Sequence, residues 1–217
     1  MKVSEDRQAC RKGLIPYHWR RLPVPRFQAL SYVLVLFGAL LGAGGCSRSG
    51  PASSTAPPPE GKGFQLVSAA FKDGDSVPSR YINDGDDRSP PLTWYNAPKG
   101  TRAFALICFD PDAPGKGFTH WVLYDIPGTT SSLPEGISRD EAETKYGIQG
   151  SNDFGRLGYI GPSPPAGSRH AYHFTLYALD TPTGLKSGAT RGDVDAAMAG
   201  HILAQAVLKG TCLRPKP

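Results

Sequence analysis

One segment of the chain combines carboxylates and an imidazole within a few residues. It reads FDPDAPGKGFTHW over residues 109–121, with Asp110 and Asp112 on either side of Pro111 and His120 after a Gly-rich turn. An imidazole titrates near neutral pH and can meet an anion as a cation. An ionised carboxylate cannot hold an anion, so we expect the two aspartates to orient imidazoles, raise their pKa and accept from loop amides. Aspartates beside a proline are also typical of Asx turns.

A second segment supplies further donors. It reads GYIGPSPPAGSRHAYHF over residues 158–174 and is rich in Gly and Pro before His170. Because side chains alternate along a strand, His170 and Tyr172 should share one face and His173 should lie on the other. Backbone N–H groups of the Gly/Pro stretch can form a concavity for an anion, and Tyr172 adds a hydroxyl donor. The two segments together predict a site for a small anion.

Two enzymatic readings of the same residues are weaker. Ser163, His170 and an aspartate contain the groups of a hydrolytic triad, but Ser163 lies between prolines and lacks the G-x-S-x-G turn. Two histidines and two aspartates could bind a metal, but the sequence has no H-x-x-x-H or C-x-x-C spacing to support it. We therefore expect a binding protein without catalytic activity, metal or cofactor.

The elements that must position these side chains are strands. An uninterrupted apolar run over 103–110 predicts a strand buried on both faces, and 171–180 alternates most clearly. Residues 64–71 and 120–127 also have strand composition, and Trp94 and Trp121 are expected in the core. The pattern predicts an all-β fold, a β-sandwich with a few peripheral helices.

One of those helices is predicted near the C-terminus. Residues 193–210 are Ala-rich and contain good helix formers. Asp193 can cap the first turn and Gly210 can end the last one. The sequence therefore predicts a C-terminal helix over this whole range.

The first 62 residues have the composition of an export signal followed by a tether. A basic start and an uncharged apolar stretch over 27–45 end at GAGGC, which is typical of a lipoprotein signal whose Cys46 is lipidated. An uncleaved anchoring helix and a cleaved soluble form are the alternatives, since the uncharged stretch is close to the roughly 20 residues that span a bilayer. We take 1–45 as the signal peptide, 46–62 as a Ser/Pro-rich tether and 63–217 as the folded domain. All three alternatives place that domain outside the cytoplasm, in the cell envelope.

Charge and cysteine usage restrict the partners of the domain. Residues 1–45 hold seven Lys/Arg and two Asp/Glu, out of 24 and 19 in the chain, so the remainder has 17 of each sign. A formally neutral domain gives no argument for nucleic-acid binding. Cys108 lies in an apolar run and is expected to be a buried free thiol, although a bridge to Cys212 stays open at this stage.

Several ordered motifs resemble one known family. DPDAP followed by HWVLYDIP, GYIGPSPP followed by H-x-Y-x-F-x-L-Y-A-L-D, SPPLTW and the terminal H-I-L-A-x-A-x-L-x-G are similar to the phosphatidylethanolamine-binding protein (PEBP), or Raf kinase inhibitor-like, family and to its bacterial branch. The resemblance covers residues 64–213. It implies two antiparallel sheets and a surface cavity that accepts phosphate-like anions, including phospholipid head groups and nucleotides. The walls that it implies are Asp110, Asp112, His120, Gly161, Ser163, Pro165, His170 and Tyr172.

The sequence departs from that pattern at Ser163, where bacterial relatives usually have Cys, and at Asp125, where Asn is usual. The resemblance also implies protease inhibition as an alternative, with an envelope serine protease as partner. The principal expectation is a lipid-anchored, non-enzymatic domain that binds a small anionic ligand. A homodimer is left open.

Overall fold

This computed structural model describes residues 63–216. Their strands form two antiparallel sheets, one of three strands and one of six. The small sheet has the order β1-β2-β5 and the large sheet the order β6-β7-β4-β3-β8-β9. The prediction of an all-β fold with two antiparallel sheets is confirmed. In chain order the elements are β1 (Gln65–Val67), a 3₁₀ turn (Ser79–Tyr81), β2 (Leu92–Tyr95), β3 (Ala103–Asp110), β4 (Phe118–Pro127), β5 (Ser132–Leu133), β6 (Glu143–Thr144), β7 (Gly147–Gln149), β8 (Arg169–Leu179), α1 (Arg191–Met198) and β9 (Ile202–Leu213).

The large sheet is covered on both faces. On one face Trp94 and Trp121 lie in the main core with the aromatic rings of Phe104 and Phe174, as expected for the two tryptophans. On the other face a second cluster packs under α1, which contributes Val194 and Met198. Strand β3 is therefore buried on both faces, as its continuous apolar sequence predicted.

The central place of β3 determines where the predicted site residues meet. Strand β3 pairs with β4 on one side and with β8 on the other, and both pairings are antiparallel. The end of β3 therefore lies between the beginnings of β4 and β8. Asp110 ends β3, His120 is the third residue of β4, and His170 is the second residue of β8.

The prediction of a helix over 193–210 is wrong for most of its length. Helix α1 ends at Met198, and Gly200 follows with a φ of 83°. β9 then occupies Ile202–Leu213 and pairs along its length with β8. Tertiary pairing overrides the helix propensity of its Ala, Leu and Lys residues. The last regular element among the described residues is therefore an edge strand and not a helix.

The start of α1 also differs from the prediction. Thr190 is the N-cap, and its side chain accepts from the amide of Asp193 at 3.3 Å. The Asp193 carboxylate in turn accepts from the Thr190 amide at 2.8 Å. Asp193 is therefore the third helical residue of a capping box and not the cap itself.

Asp125 occupies a distorted position in β4. Its φ is 51°, a left-handed conformation that Asn and Asp tolerate better than most residues. Its carboxylate accepts from the amides of Thr183 at 2.6 Å and Gly184 at 3.1 Å. The aspartate therefore holds the loop that follows β8, on the side of the fold where that strand ends.

Two cysteines lie within the described residues. Cys108 and Cys212 are both buried free thiols, so the bridge left open above does not form here. Burial raises the pKa of the Cys108 thiol well above its ordinary value.

The signal peptide, Cys46 and the tether predicted from the sequence lie outside the described residues. Between Gly63 and Lys216, no helix has the length and apolar character needed to cross a bilayer.

Candidate functional site

His170 is held by a buried carboxylate. Its Nδ1 lies 2.8 Å from Oδ2 of Asp110, and both residues are almost completely buried. Because the partner is an acceptor, Nδ1 has the proton and Nε2 is the remaining ring nitrogen. The predicted alternation along β8 is confirmed, since His170 and Tyr172 are buried on one face and His173 lies on the other.

Asp110 also builds the turn that leaves β3. Its Oδ1 accepts from the amides of Asp112 at 2.9 Å and Ala113 at 3.0 Å. The Asx-turn reading and the orienting role are therefore both correct for this residue. Asp112 fulfils only part of the expectation, because its carboxylate accepts from a backbone amide, that of Ala171 at 2.8 Å, and bonds to no imidazole of the described residues. It satisfies an amide of β8 at the point where β3 has ended.

His120 lies at an irregularity of the sheet. Thr119 pairs with Phe109 and Trp121 pairs with Cys108, so His120 is an extra residue in β4 without a partner in β3. Such a β-bulge turns a side chain away from its regular direction. The residue is tied twice to Ile160, whose amide donates to the His120 carbonyl at 3.0 Å and whose carbonyl lies 2.8 Å from Nδ1.

The prediction that His120 has a raised pKa is wrong. Burial lowers the pKa of His120 from its ordinary 6.5, although the bonds to the backbone of Ile160 and Gly161 and the charge of Asp110 act in the opposite direction. His120 is 4% exposed, and the desolvation of its charged form outweighs the charges of the two nearby carboxylates, Asp110 and Asp153. The unliganded site therefore has a neutral imidazole at this position at pH 7.

Tyr172 packs against the His120 ring in the core, beside the site. Its ring packs edge-on against His120 with centroids 5.1 Å apart, and its side chain is fully buried. Burial, together with the Asp110 charge, raises the pKa of its hydroxyl. Within residues 63–216 that hydroxyl has no well-formed hydrogen bond, although it lies near Asp110 and the backbone of Ser163.

The Gly/Pro stretch contributes shape more than donors. Of residues 161–165, three are prolines without an N–H, and the Gly161 amide already donates to Asp87 at 2.7 Å. Gly161 itself allows a close approach of two backbones, since a Cβ there would lie 2.5 Å from the Tyr81 carbonyl oxygen. The expected concavity of loop amides is thus reduced in this segment to the N–H of Ser163.

These residues surround a hollow of about 190 Å³. Five of the eight predicted residues line this hollow. The other three, Asp112, Gly161 and Tyr172, are not part of its lining. Larger hollows of about 260, 300 and 460 Å³ occur elsewhere in the described surface, and no histidine lines any of the three. The full lining consists of Asp110, Ala113, Pro114, Phe118, His120, Phe154, Ser163, Pro164, Pro165 and His170.

The sequence reasoning missed the aromatic part of this wall. Phe118 lies 5.1 Å from His120 between ring centroids, and Phe154 packs edge-on against Phe118 at 4.6 Å. Phe154 is 54% exposed, an unusual exposure for a phenyl ring. The signal available was a lone aromatic residue inside the polar turn SNDFGR, residues 151–156.

A buried asparagine fixes the turn that presents Phe154. Oδ1 of Asn152 accepts from the amides of Phe154 at 3.0 Å and Arg156 at 3.2 Å. Its Nδ2 donates to the Gly158 carbonyl at 3.0 Å. The aromatic rim of the hollow is therefore held by the folded structure before any ligand arrives.

The arrangement has two chemical states. With both imidazoles neutral, Nδ1 of each ring is committed to a protein oxygen and Nε2 is an acceptor. With a ring protonated, its Nε2 becomes a donor beside an otherwise apolar wall. The fold and the site define a β-sandwich with a small two-histidine hollow at one end of its large sheet.

Comparisons with known proteins agree with that description. The family model described as phosphatidylethanolamine-binding protein matches residues 67–213. A UPF0098 protein of Methanothermobacter thermautotrophicus is 48% identical over 147 residues, which are 68% of this chain and 97% of that protein. The UPF0098 protein YbhB of Escherichia coli is 39% identical over 147 residues, covering 64% of this chain and 88% of the relative.

Solved structures extend the similarity to the fold. A PEBP homologue from Chlamydia trachomatis superposes with a TM-score of 0.65 at 34% identity, covering 71% of this chain and 99% of that one. The structure of YbcL of E. coli superposes with a TM-score of 0.66 at 33% identity, covering 70% of this chain and 99% of that one. The chain belongs to the phosphatidylethanolamine-binding protein family. Both solved chains consist almost wholly of the matched region, so in those two proteins this region folds on its own.

Proposed function

We propose that the domain binds a small phosphate-bearing or other anionic ligand, such as a phospholipid head group or a nucleotide, and that it does so without catalysis. One observation carries the proposal. Two imidazoles from separate strands line one hollow, and each has its Nδ1 fixed by a buried oxygen so that only Nε2 is left to meet a ligand. The anion would accept from Nε2 of protonated His120 and His170.

The carboxylate in the wall is compatible with an anion because its charge is already shared among donors. Asp110 accepts from two turn amides and from His170. An arriving anion would therefore be bound through Nε2 once the His120 ring takes up a proton, since the neutral ring offers only an acceptor there. Binding linked to proton uptake weakens as the pH rises.

The wall also supports an organic group attached to the anion. Phe118, Phe154 and three prolines present mainly carbon atoms around the two rings. An apolar wall excludes water and strengthens the charged contacts at its base. We infer a phosphate ester, with its organic part against the phenyl rings, as the favoured ligand class.

The geometry gives less support to hydrolysis. Ser163 lines the same hollow as His170, but within residues 63–216 its hydroxyl makes no hydrogen bond to either imidazole. The neighbouring prolines have no N–H to stabilise an oxyanion. The proposed role is therefore binding.

We further propose that a lipid on Cys46 anchors the domain to the cell envelope, with the Ser/Pro-rich tether between them. The support is the basic, apolar and small-residue succession that ends at Cys46. Mass spectrometry of the full chain, expressed in a bacterial host, should find a lipid-modified N-terminal Cys46. A chain that starts at Met1 without lipid would refute the anchor.

The binding proposal is tested by comparing two histidines of β8. His170→Ala should abolish binding of phosphoethanolamine to the domain, measured by calorimetry at about pH 6, because one of the two Nε2 donors is lost. His173→Ala is the matched control, since it removes an imidazole from the opposite face of the same strand. Unchanged affinity in His170→Ala, with both variants folded by circular dichroism, would overturn the proposal.

A further inference from the structure

The two histidines of the hollow are fixed by different kinds of acceptor. Nδ1 of His170 lies against the Asp110 carboxylate. Nδ1 of His120 lies 2.8 Å from a backbone carbonyl, that of Ile160. A neutral carbonyl is a weaker acceptor than a carboxylate, so by itself it fixes the proton on Nδ1 less firmly. The position of that proton decides whether Nε2 is left for a ligand, so whatever orients the Ile160 carbonyl also affects the state of the ring.

A carboxylate lies at the other end of the same peptide group. The Ile160 carbonyl and the Gly161 amide belong to one planar unit. No peptide bond among residues 63–216 is cis, so the C=O and the N–H of this unit point in opposite directions. The carbonyl faces His120, and the amide donates to Oδ1 of Asp87 at 2.7 Å. Two hydrogen bonds on one peptide group therefore connect the imidazole to a carboxylate.

Asp87 reaches this peptide group from a strained backbone. Its φ is 53°, a left-handed conformation that is uncommon outside glycine and is found where the position of a side chain is important. Its side chain is 16% exposed, and Oδ2 accepts from Nη1 of Arg139 at 2.6 Å. Arg139 compensates the negative charge and packs along the same segment, since a Cβ on Gly158 would lie 2.9 Å from the Arg139 Cγ. The carboxylate is therefore held in place by its own backbone and by a cation.

We propose that Asp87 is a positioning residue for His120 and acts across the peptide group that joins Ile160 to Gly161. A charged acceptor on the N–H polarises the group and makes the carbonyl at its other end a stronger acceptor. The carbonyl then keeps the proton on Nδ1, leaves Nε2 for the anion and stabilises the imidazolium that forms on binding. The consequence for a ligand rests on the proposed function, whereas the effect on the ring exists without a ligand.

The test removes the carboxylate without straining the backbone. Asp87→Gly introduces a residue that adopts a φ of 53° readily. Ring-nitrogen NMR of the full chain, in a phosphate-free buffer at about pH 7.5, should show His120 as a mixture of tautomers in this variant and with its proton on Nδ1 in the unmodified protein. Asp87→Asn, which retains a neutral acceptor, should give a smaller change in the same direction. His170 should be unaffected in both variants, because its own carboxylate remains.

Asp125→Gly is the matched control. Asp125 also has a left-handed φ, 51°, and its carboxylate also accepts from backbone amides, but these belong to the loop after β8. This variant should lose stability through the same kind of contact and leave both rings of the hollow unchanged. A His120 tautomer that is unchanged in Asp87→Gly, or that changes equally in Asp125→Gly, would overturn the proposal.

A phosphate titration separates this proposal from the proposed function. At about pH 6, Asp87→Gly should bind inorganic phosphate about two- to tenfold more weakly than the unmodified chain, as expected for the loss of one hydrogen bond. Equal affinity in the two proteins would contradict the role of Asp87 and leave the anion site intact. If the unmodified chain binds no phosphate, the anion site is refuted, and the tautomer comparison, made without anion, still decides whether Asp87 positions the ring.

Discussion

His120 shows how a single residue acquires chemistry that its type does not specify. The bulge in β4 takes its side chain out of the regular ladder, and Ile160 holds it by backbone and ring together. Its burial lowers the pKa of the imidazole, so the free protein presents a neutral ring, which must take up a proton from the solvent when an anion binds. Proton uptake is thereby coupled to binding at one atom of one residue.

That lowered pKa predicts how stability depends on pH. The unfolded chain binds a proton at His120 near 6.5 and the folded chain only at lower pH, so the contribution of this residue is present above 6.5 and is lost as the pH falls. His120→Gln retains a donor for the Ile160 carbonyl but cannot titrate. The unmodified domain should therefore lose more free energy of unfolding than the variant between about pH 7.5 and about pH 5.5.

Denaturant titrations in a buffer without phosphate measure this difference. A saturating anion should reduce the loss in the unmodified domain, because it binds the protonated form. Parallel stability curves for the two proteins in the absence of anion would contradict the lowered pKa.

At the scale of elements, the 161–165 segment depends on a close packing of backbones. Gly161 lies against the chain that follows the 3₁₀ turn, and a Cβ there would approach the Asn83 amide nitrogen and the Ile82 carbonyl carbon to 2.7 Å. Neither atom belongs to a flexible side chain, so the segment has to move. Ser163 and Pro165, which line the hollow, move with it.

We therefore expect Gly161→Ala to destabilise the domain by about 1–3 kcal/mol and to weaken anion binding as well. Gly192→Ala is the matched control, because Gly192 lies in α1 and its new Cβ would meet only Thr190 Oγ1 at 3.8 Å. That control should be neutral or stabilising by up to about 1 kcal/mol, with unchanged binding. Denaturant unfolding and calorimetry of the two variants are the measurements. Equal effects from both would contradict the packing argument.

The strands of the site could be predicted from the sequence, whereas the terminal segment could not. The bounds of β3 coincide with the apolar run 103–110, and the alternation of β8 is directly visible in its residues. In 199–210 the same Ala and Leu residues satisfy a helical and an extended pattern. Gly200, with its positive φ, was the stop signal that separates them.

At the scale of the whole molecule, the strand order of the large sheet determines where the hollow forms. One strand end and two strand beginnings meet because β3 lies between β4 and β8, and this gathers residues 60 positions apart, Asp110 and His170, into one hydrogen bond. The histidines and aspartates could be proposed from their motifs. The contribution of Phe154, and the support that Asp87 gives to Gly161, depend on long-range contacts that no local pattern encodes.

The central claim is that His120 and His170 form one anion site. Ring-nitrogen NMR of the domain at about pH 6, during titration with inorganic phosphate, tests it most directly. We predict that the Nε2 signals of His120 and His170 move together toward the imidazolium position with a single affinity, while those of His173 and His201 stay in place. Phosphate binding that leaves the signals of His120 and His170 unmoved, or moves them with different affinities, would contradict the claim.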